Sequence, residues 1–338
     1  QFIISKDEQK TFVLRGYAGT GKTSLMAALV RAMKELQQSI VLLAPTGRAA
    51  KVLARYAQTP AYTIHKFIYR QNKLGTDAFS LSFNPHKNTI FIVDEASMIS
   101  GECNNTFGTG VLLNDLIQYI SSGERCSLLL LGDDAQLPPV GTSLSPALNI
   151  DYLKGYGLNV TSYTLTQVAR QALDSSILSN ATAIRKQIPS LSSINQYIHP
   201  HTFSFKFSTD FQSFNGSDFI ELLEQSYREV GIEETIVLTR TNKRTNIYNE
   251  GIRARVLWRE DALSSGDRLL ISKNNYFWTK DYEGIPFIAN GDMLEITRIR
   301  NWREMYGFQF VDASLKAIDY DWEIDVVLWL DTLTTDSP

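Results

Sequence analysis

Near its start the chain carries Gly16-Tyr17-Ala18-Gly19-Thr20-Gly21-Lys22-Thr23, a full match to the pattern G-x-x-x-x-G-K-[ST]. The context is the required one. The apolar run Phe12-Val13-Leu14 precedes it, and a helical stretch follows with Leu25, Leu29, Ala32, Met33 and Leu36 on one stripe. Glycines let backbone N–H groups curl around a phosphate chain, and the helix N-terminus adds positive potential. The pattern therefore predicts a nucleotide site lined by Gly16, Ala18, Gly19, Thr20, Gly21, Lys22, Thr23 and Ser24. Lys22 is expected to reach the outer phosphates of ATP, and the Thr23 hydroxyl to hold Mg2+.

A second string gives the nucleotide something to do. Ile90-Phe91-Ile92-Val93 is apolar throughout and ends in Asp94-Glu95. Two adjacent carboxylates at a buried strand end are costly unless something uses them. Beside a phosphate loop, Asp94 is suited to hold Mg2+, mostly through water, and Glu95 to act as the base or orienter for an attacking water. Hydrolysis is expected rather than nucleotide storage.

The rest of the chain frames these motifs. At 338 residues it is long enough for about two domains. Further apolar runs, Ile40-Val41-Leu42-Leu43 and Leu128-Leu129-Leu130-Leu131, alternate with helical stretches. That is the pattern of an α/β fold whose parallel sheet is covered on both faces. A second βα series is expected to start near Asn159-Val160 and to include Thr235-Ile236-Val237-Leu238 and the helix after it. Beyond Gly266 the texture turns β-rich, with strand-like segments at Asp267–Ile271, Ile288–Ile296 and Phe308–Val311 and a turn signal at Asn290-Gly291. Residues 189–215 read as a long excursion. Lys and Arg total 33 against 36 Asp and Glu, so the net charge of −3 excludes a histone-like polycation but not a local basic groove. Cys103 and Cys126 cannot make a disulfide framework, so a reducing, cytoplasmic compartment is the expectation. No apolar run reaches the roughly 18 residues of a membrane span. The chain opens on Gln1 with no visible signal peptide, and reads as shortened at both ends.

Five strings stand in order, Ala44–Lys51, Thr63–Lys66, Asp94–Met98, Gly132–Gly141 and Leu165–Gln171, and together they make the chain resemble a superfamily 1 helicase of the RecD/Dda-like group. Ala44-Pro45-Thr46-Gly47-Arg48-Ala49-Ala50-Lys51 resembles that group's first DNA-contact motif, and Thr63-Ile64-His65-Lys66 its second. Asp94-Glu95-Ala96-Ser97-Met98 is close to its form of the hydrolytic motif. Gly132-Asp133-Asp134-Ala135-Gln136-Leu137-Pro138-Pro139-Val140-Gly141 is the most specific string, and Leu165-Thr166-Gln167-Val168-Ala169-Arg170-Gln171 resembles the opening of the second motor domain.

The resemblance implies tandem RecA-like P-loop domains with ATP between them and single-stranded DNA across their tops, moving 5′ to 3′. On this reading residues 1–155 form the first motor domain, with a small insert at about 66–88. Residues 156–265 form the first part of the second, and 266–338 an incomplete SH3-like barrel. Gln136 would sense the γ-phosphate, and Arg170 would reach it from the second domain, where a planar charged fork spreads phosphate charge. A loop-capping amide and a surface ion pair are the plainer readings of these two. Pro45, Thr46, Arg48, Thr63, His65 and Lys66 would grip DNA, with His65 or Phe67 stacking on bases. The alternatives are a packed or capping histidine and a solvated Arg48. Thr239, Arg240, Asn242 and Lys243 resemble the second-domain DNA motif, or are simply a cationic helix start. The insert, with Tyr69, Phe79 and Phe83 and a turn at Asn72–Asp77, would be a duplex-splitting β-hairpin or a plain surface loop. The adenine-reading glutamine and the C-terminal histidine-and-glutamine and second-arginine motifs of the group are not found. Expected partners are single-stranded DNA and forked or tailed duplexes, with a monomer as the working unit, in repair, recombination or replication. A nucleotide-gated DNA-binding module, an RNA helicase of the same superfamily and a metabolic kinase are the rival readings.

Overall fold

The first strand must run from a buried interior to a phosphate loop, and the sheet is built around it. The computed structural model describes residues 10–71, 79–101, 108–139, 144–167, 175–191, 204–272, 291–318 and 321–333, with isolated positions between them. Two compact units are present, Gln1–Phe205 and Lys206–Pro338.

In the first unit the elements are β1 (Lys10–Gly16), α1 (Lys22–Glu35), β2 (Ile40–Ala44), α2 (Gly47–Ala57), β3 (Ala61–Thr63), α3 (Ile64–Ile68), β4 (Tyr69–Gln71), β5 (Phe79–Leu81), β6 (Ile90–Val93), α4 (Leu112–Ser121), β7 (Ser127–Gly132), α5 (Ile150–Lys154), β8 (Asn159–Leu165) and α6 (Ser176–Leu191). Six strands form one parallel sheet in the order β3-β2-β6-β7-β1-β8. The apolar runs of β6 and β7 are buried at every position, as their two-faced hydrophobicity requires. Alternate residues serve opposite layers. Val13, Phe91, Val93, Leu128 and Leu130 pack with Leu113 and Leu116 of α4. Leu14, Ile90, Ile92, Leu129 and Leu131 pack with Met26 of α1 and Leu53 of α2.

Two expectations are corrected here. The buried stripe of α1 is Met26, Val30 and Met33, while Leu25 and Leu36 are exposed. This helix carries apolar residues on more than one face, and only the Met26 face meets the sheet. The strand at Asn159 does not open a second βα series. As β8 it pairs with β1, from Lys10↔Asn159 to Gly16↔Leu165. With β7 on one side of β1, the other side needs a partner. The polar, largely exposed Asn-Val-Thr-Ser-Tyr-Thr-Leu sequence of β8 suits the resulting edge. The insert contains a hairpin, with β4 and β5 antiparallel from Tyr69↔Leu81 to Gln71↔Phe79. Most of its expected turn, 72–78, lies outside the described residues.

The second unit contains α7 (Phe219–Glu229), α8 (Asn242–Arg255), β9 (Arg268–Leu270), β10 (Met293–Met305), β11 (Phe308–Ala317) and β12 (Glu323–Trp329). The four strands form an antiparallel sheet, β12-β11-β10-β9, over a core that includes Leu294, Ile296, Val311, Leu315 and Ile324. The β-rich module is therefore present. Gly291, half of the expected turn, has φ of 88°, and Asn290 lies outside the described residues. The expected strand Thr235–Leu238 has no assigned secondary structure and pairs with no strand among the described residues, with Ile236 and Leu238 exposed. An apolar run becomes a strand only where a neighbour offers a ladder.

Asp267 joins α8 to the β-rich module. It accepts hydrogen bonds from Arg253 Nη2 at 2.8 Å, Arg259 Nη1 at 2.6 Å and the Ser264 N–H at 2.8 Å. Burial pushes its carboxyl up, but the Arg253, Ser264 and Arg259 hydrogen bonds outweigh that and hold it below the usual carboxylate range. A pKa depressed on folding contributes stability that is present above the unfolded value and lost as pH falls through the folded one. Asp267→Ala is expected to destabilise this unit by about 3 kcal/mol, because it leaves two partly buried arginines without their carboxylate. It should also flatten the acid limb of unfolding. Chemical denaturation at neutral and acid pH checks this, and an unchanged midpoint would contradict it.

Candidate active site

The sheet order decides what meets. β1 ends at the phosphate loop, β7 lies beside it, and β6 lies beside β7. All three are parallel, so Lys22, Asp94-Glu95 and Gln136 follow the same edge, the carboxyl ends where open α/β sheets bind ligands.

Local chemistry shapes the loop. Gly19 and Gly21 have φ of 79° and 89°, which favours glycine. A Cβ on Gly16 would lie 2.7 Å from Thr20 Oγ1 and 2.9 Å from Leu165 Cβ, so strand β8 leaves room only for hydrogen there. Thr20 donates its hydroxyl to the Tyr17 carbonyl at 2.7 Å. Lys22 Nζ donates to the Gly16 carbonyl and, at 3.2 Å, to the Tyr17 carbonyl. It also lies 3.9 Å from the buried Asp133 carboxylate. Thr23 is half-buried, and Ala18 and Ser24 are exposed.

The carboxylates are electrostatically linked to that lysine. Burial raises Asp94, with the Glu95 N–H and the Lys22 charge pulling the other way. Burial also raises Glu95, as do Asp94 and Asp133, against the pull of Lys22. Glu95 has φ of 52°, a left-handed conformation that costs a residue with a Cβ about 1–2 kcal/mol. The Asp94 side chain accepts from the Glu95 N–H at 2.9 Å, which holds this turn in place. Gln136 is exposed, and its Oε1 accepts from Ser97 Oγ at 3.4 Å, linking the loops after β7 and β6. Arg170 lies outside the described residues, as do Val140 and Gly141 of the preceding string.

The candidate DNA residues divide by what their side chains already do. Thr46 and Thr63 cap helices, accepting from the Ala49 and Lys66 N–H groups at 3.2 Å. Their hydroxyls are therefore engaged locally. At the start of α2, Pro45 and Thr46 are half-buried, Gly47 is buried and Arg48 is exposed in the first turn. His65 is half-buried with its ring 5.8 Å from Tyr69, and burial pulls its pKa down, which favours the neutral imidazole. Lys66 is exposed, with its ammonium over the Tyr62 ring at 5.8 Å. Phe67 is already engaged with other rings. Its half-buried ring stacks on His86 and meets Phe91 and Tyr119 edge-on, packed against the core. In the second unit Arg240, Asn242 and Lys243 are exposed around the start of α8, which Thr241 caps. Thr239 shares a 2.6 Å hydrogen bond with Thr245.

Two residues at the loop escaped the sequence reading. Asp133 was visible as an acid directly after a buried strand, the same signal that marks Asp94. Arg185, on α6, places its guanidinium 4.2 Å from the Tyr17 ring centroid, a cation–π contact on the loop itself. No spacing in the sequence announces it.

Residues 3–199 match the AAA_30 family, described as an AAA domain. The chain is 31% identical over 175 residues to the ATP-dependent RecD2 DNA helicase of Deinococcus radiodurans, covering 50% of this chain and 21% of that protein. It is 28% identical over 191 residues to the ATP-dependent DNA helicase Dda of Enterobacteria phage T4, covering 53% of this chain and 39% of that protein. The chain thus spans well under half the length of either relative. A crystal structure of Pif1 helicase from Candida albicans aligns with a TM-score of 0.42 at 15% identity, over 95% of this chain and 74% of that one.

Proposed function

The chain belongs to the AAA_30 family of AAA domains and, within it, to the RecD/Dda-like group of superfamily 1 helicases, and from that premise we propose that it is an ATP-driven motor on single-stranded DNA. One observation carries the reading: the phosphate loop, the Asp94-Glu95 pair and Gln136 follow one edge of three neighbouring parallel strands. A nucleotide held by the first can be hydrolysed by the second and sensed by the third.

In this reading the loop amides and Lys22 cradle the phosphates, and Lys22 leaves the loop carbonyls and Asp133 to reach the outer ones. Thr23 and Asp94 would hold Mg2+. Both offer hard oxygen atoms, the ligand type magnesium takes when phosphates and water complete its shell. Bound there, magnesium supplies neutralisation of the charge on the transferred phosphoryl group. Glu95, ionised, takes the proton of the attacking water. Gln136 reports the γ-phosphate and Arg170 supplies a further charge to it, and the second motor lobe, expected over 156–265, is read here as the part of the second unit from Lys206 to about 265, with the β-rich module from 266. Closure on the nucleotide then alternates with release, and the DNA grips at Pro45, Thr46, Arg48, Thr63, His65 and Lys66, and at Thr239, Arg240, Asn242 and Lys243, alternate with it.

The β4–β5 hairpin is the element that splits a duplex as the strand is drawn past it. Movement is 5′ to 3′, by a cytoplasmic monomer serving repair, recombination or replication. No helix among the described residues is long and apolar enough to cross a membrane. Tailed duplexes test the reading. With ATP and Mg2+, a duplex with a 5′ single-stranded DNA tail should be separated, and one with a 3′ tail or an RNA tail should not. Separation of RNA-tailed duplexes alone would support the RNA reading, and nucleotide-dependent binding without separation a gated module.

A further inference from the structure

One buried acid has no part in the chemistry above. Asp115, in the first turn of α4, is wholly buried. A carboxylate there is expensive unless its oxygens are satisfied. They are satisfied by hydroxyls and an amide: Tyr69 OH donates at 2.6 Å, Thr109 Oγ1 at 2.7 Å and the Thr109 N–H at 3.0 Å. Burial, with the Asp115 hydrogen bond and charge, pushes the Tyr69 phenol up, so it remains a donor.

The residue before Thr109 is fitted to this cluster. Gly108 has φ of 53°, and a Cβ on it would lie 2.1 Å from Asp115 Oδ2 and 2.7 Å from Tyr69 Cε1. Its N–H donates to the Phe79 carbonyl at 3.1 Å. Tyr69 begins β4 and Phe79 begins β5, so both strands of the hairpin are tied to one turn. That turn leads directly into α4, whose Leu113, Leu116 and Ile120 are buried in the core with Phe91 and Leu128. The return of the insert is fixed to the other end of the same helix, where buried Asn84 donates to the Tyr119 carbonyl at 2.8 Å.

We propose that Tyr69, Gly108, Thr109 and Asp115 form a brace that fixes the direction of the β4–β5 hairpin against α4, so that strand separation depends on it while ATP turnover does not. The inference rests on the reading of the hairpin as the splitting element. These are positioning residues: none touches the nucleotide site. A hairpin that pushes between paired bases must transmit force to the core, and hydroxyl-to-carboxylate bonds inside a dry interior are short, directional and strong.

The test compares the wild-type chain with Tyr69→Phe, which removes one oxygen, and Gly108→Ala, which drives a methyl group into the brace. Each is assayed for ATP turnover on single-stranded DNA, for separation of a 5′-tailed duplex and for amide hydrogen exchange. The expected result is separation slowed about tenfold, equivalent to about 1.4 kcal/mol in the barrier, with turnover within about twofold of wild type. Exchange should rise at 79–81 and 108–109, with β6 and β7 still protected. Separation at the wild-type rate in both variants would overturn the proposal, as would turnover falling in step with separation. If the wild-type chain turns over ATP but separates no duplex, the splitting role of the hairpin fails by itself. Exchange then decides the brace: lost protection at 79–81 in Tyr69→Phe keeps it, and unchanged protection rejects it.

Discussion

Lys22→Ala is expected to abolish ATP hydrolysis, lowering turnover by about 10³-fold or more, while the domain stays folded. The lysine lies on a helix whose buried face is Met26, Val30 and Met33, and among the described residues its ammonium bonds to loop carbonyls and lies near Asp133. Its removal therefore takes away charge at the phosphates and almost no packing. Phosphate release and thermal unfolding, measured on the same sample, separate these. Substantial turnover in a folded Lys22→Ala chain would count against the nucleotide site.

Glu95→Gln is expected to lose hydrolysis by about 10²–10⁴-fold, the range for removing a positioned base, while nucleotide binding persists. It carries a second, opposite effect. Burial beside Asp94 raises the folded pKa of Glu95, so the folded chain holds this proton more tightly than the unfolded chain does. The ionised form is therefore a stability cost. That cost is absent below the unfolded pKa and grows as pH rises to the folded one. Glutamine removes it, so the variant should melt higher than wild type at neutral pH and lose that advantage in acid. The same raised pKa shifts the acid limb of the wild-type rate upward, because only the ionised carboxylate accepts a proton. A variant that melts lower and hydrolyses normally would refute both halves.

The legible parts of this fold were those where chemistry leaves few choices. The phosphate loop fixes residue types one by one, and β6 and β7 advertise burial by being apolar at every position. Asp94 and Glu95 could be read because acids after such a strand need a purpose. Between His65 and Thr89 the resemblance implies a hairpin and the residues alone allow a plain surface loop, and β4–β5 pairing selects the hairpin. The misread elements depended on neighbours. Asn159–Leu165 is polar enough for several settings, and only the open side of β1 makes it a sheet edge. Ile236 and Leu238 have strand-like spacing but no ladder among the described residues, so their side chains face solvent. Phe67 has the ring for base stacking, and only the fold shows that Phe91 and Tyr119 meet that ring edge-on. Asp115 gave no signal, because Tyr69 and Thr109 meet it only in three dimensions.

Inorganic phosphate release, measured with saturating ATP and Mg2+ in the presence and absence of single-stranded DNA, bears on the whole account. A motor that couples this sheet edge to a DNA track should hydrolyse slowly alone and many-fold faster on the strand, and Lys22→Ala should erase both rates. Turnover that is the same with and without DNA would contradict it.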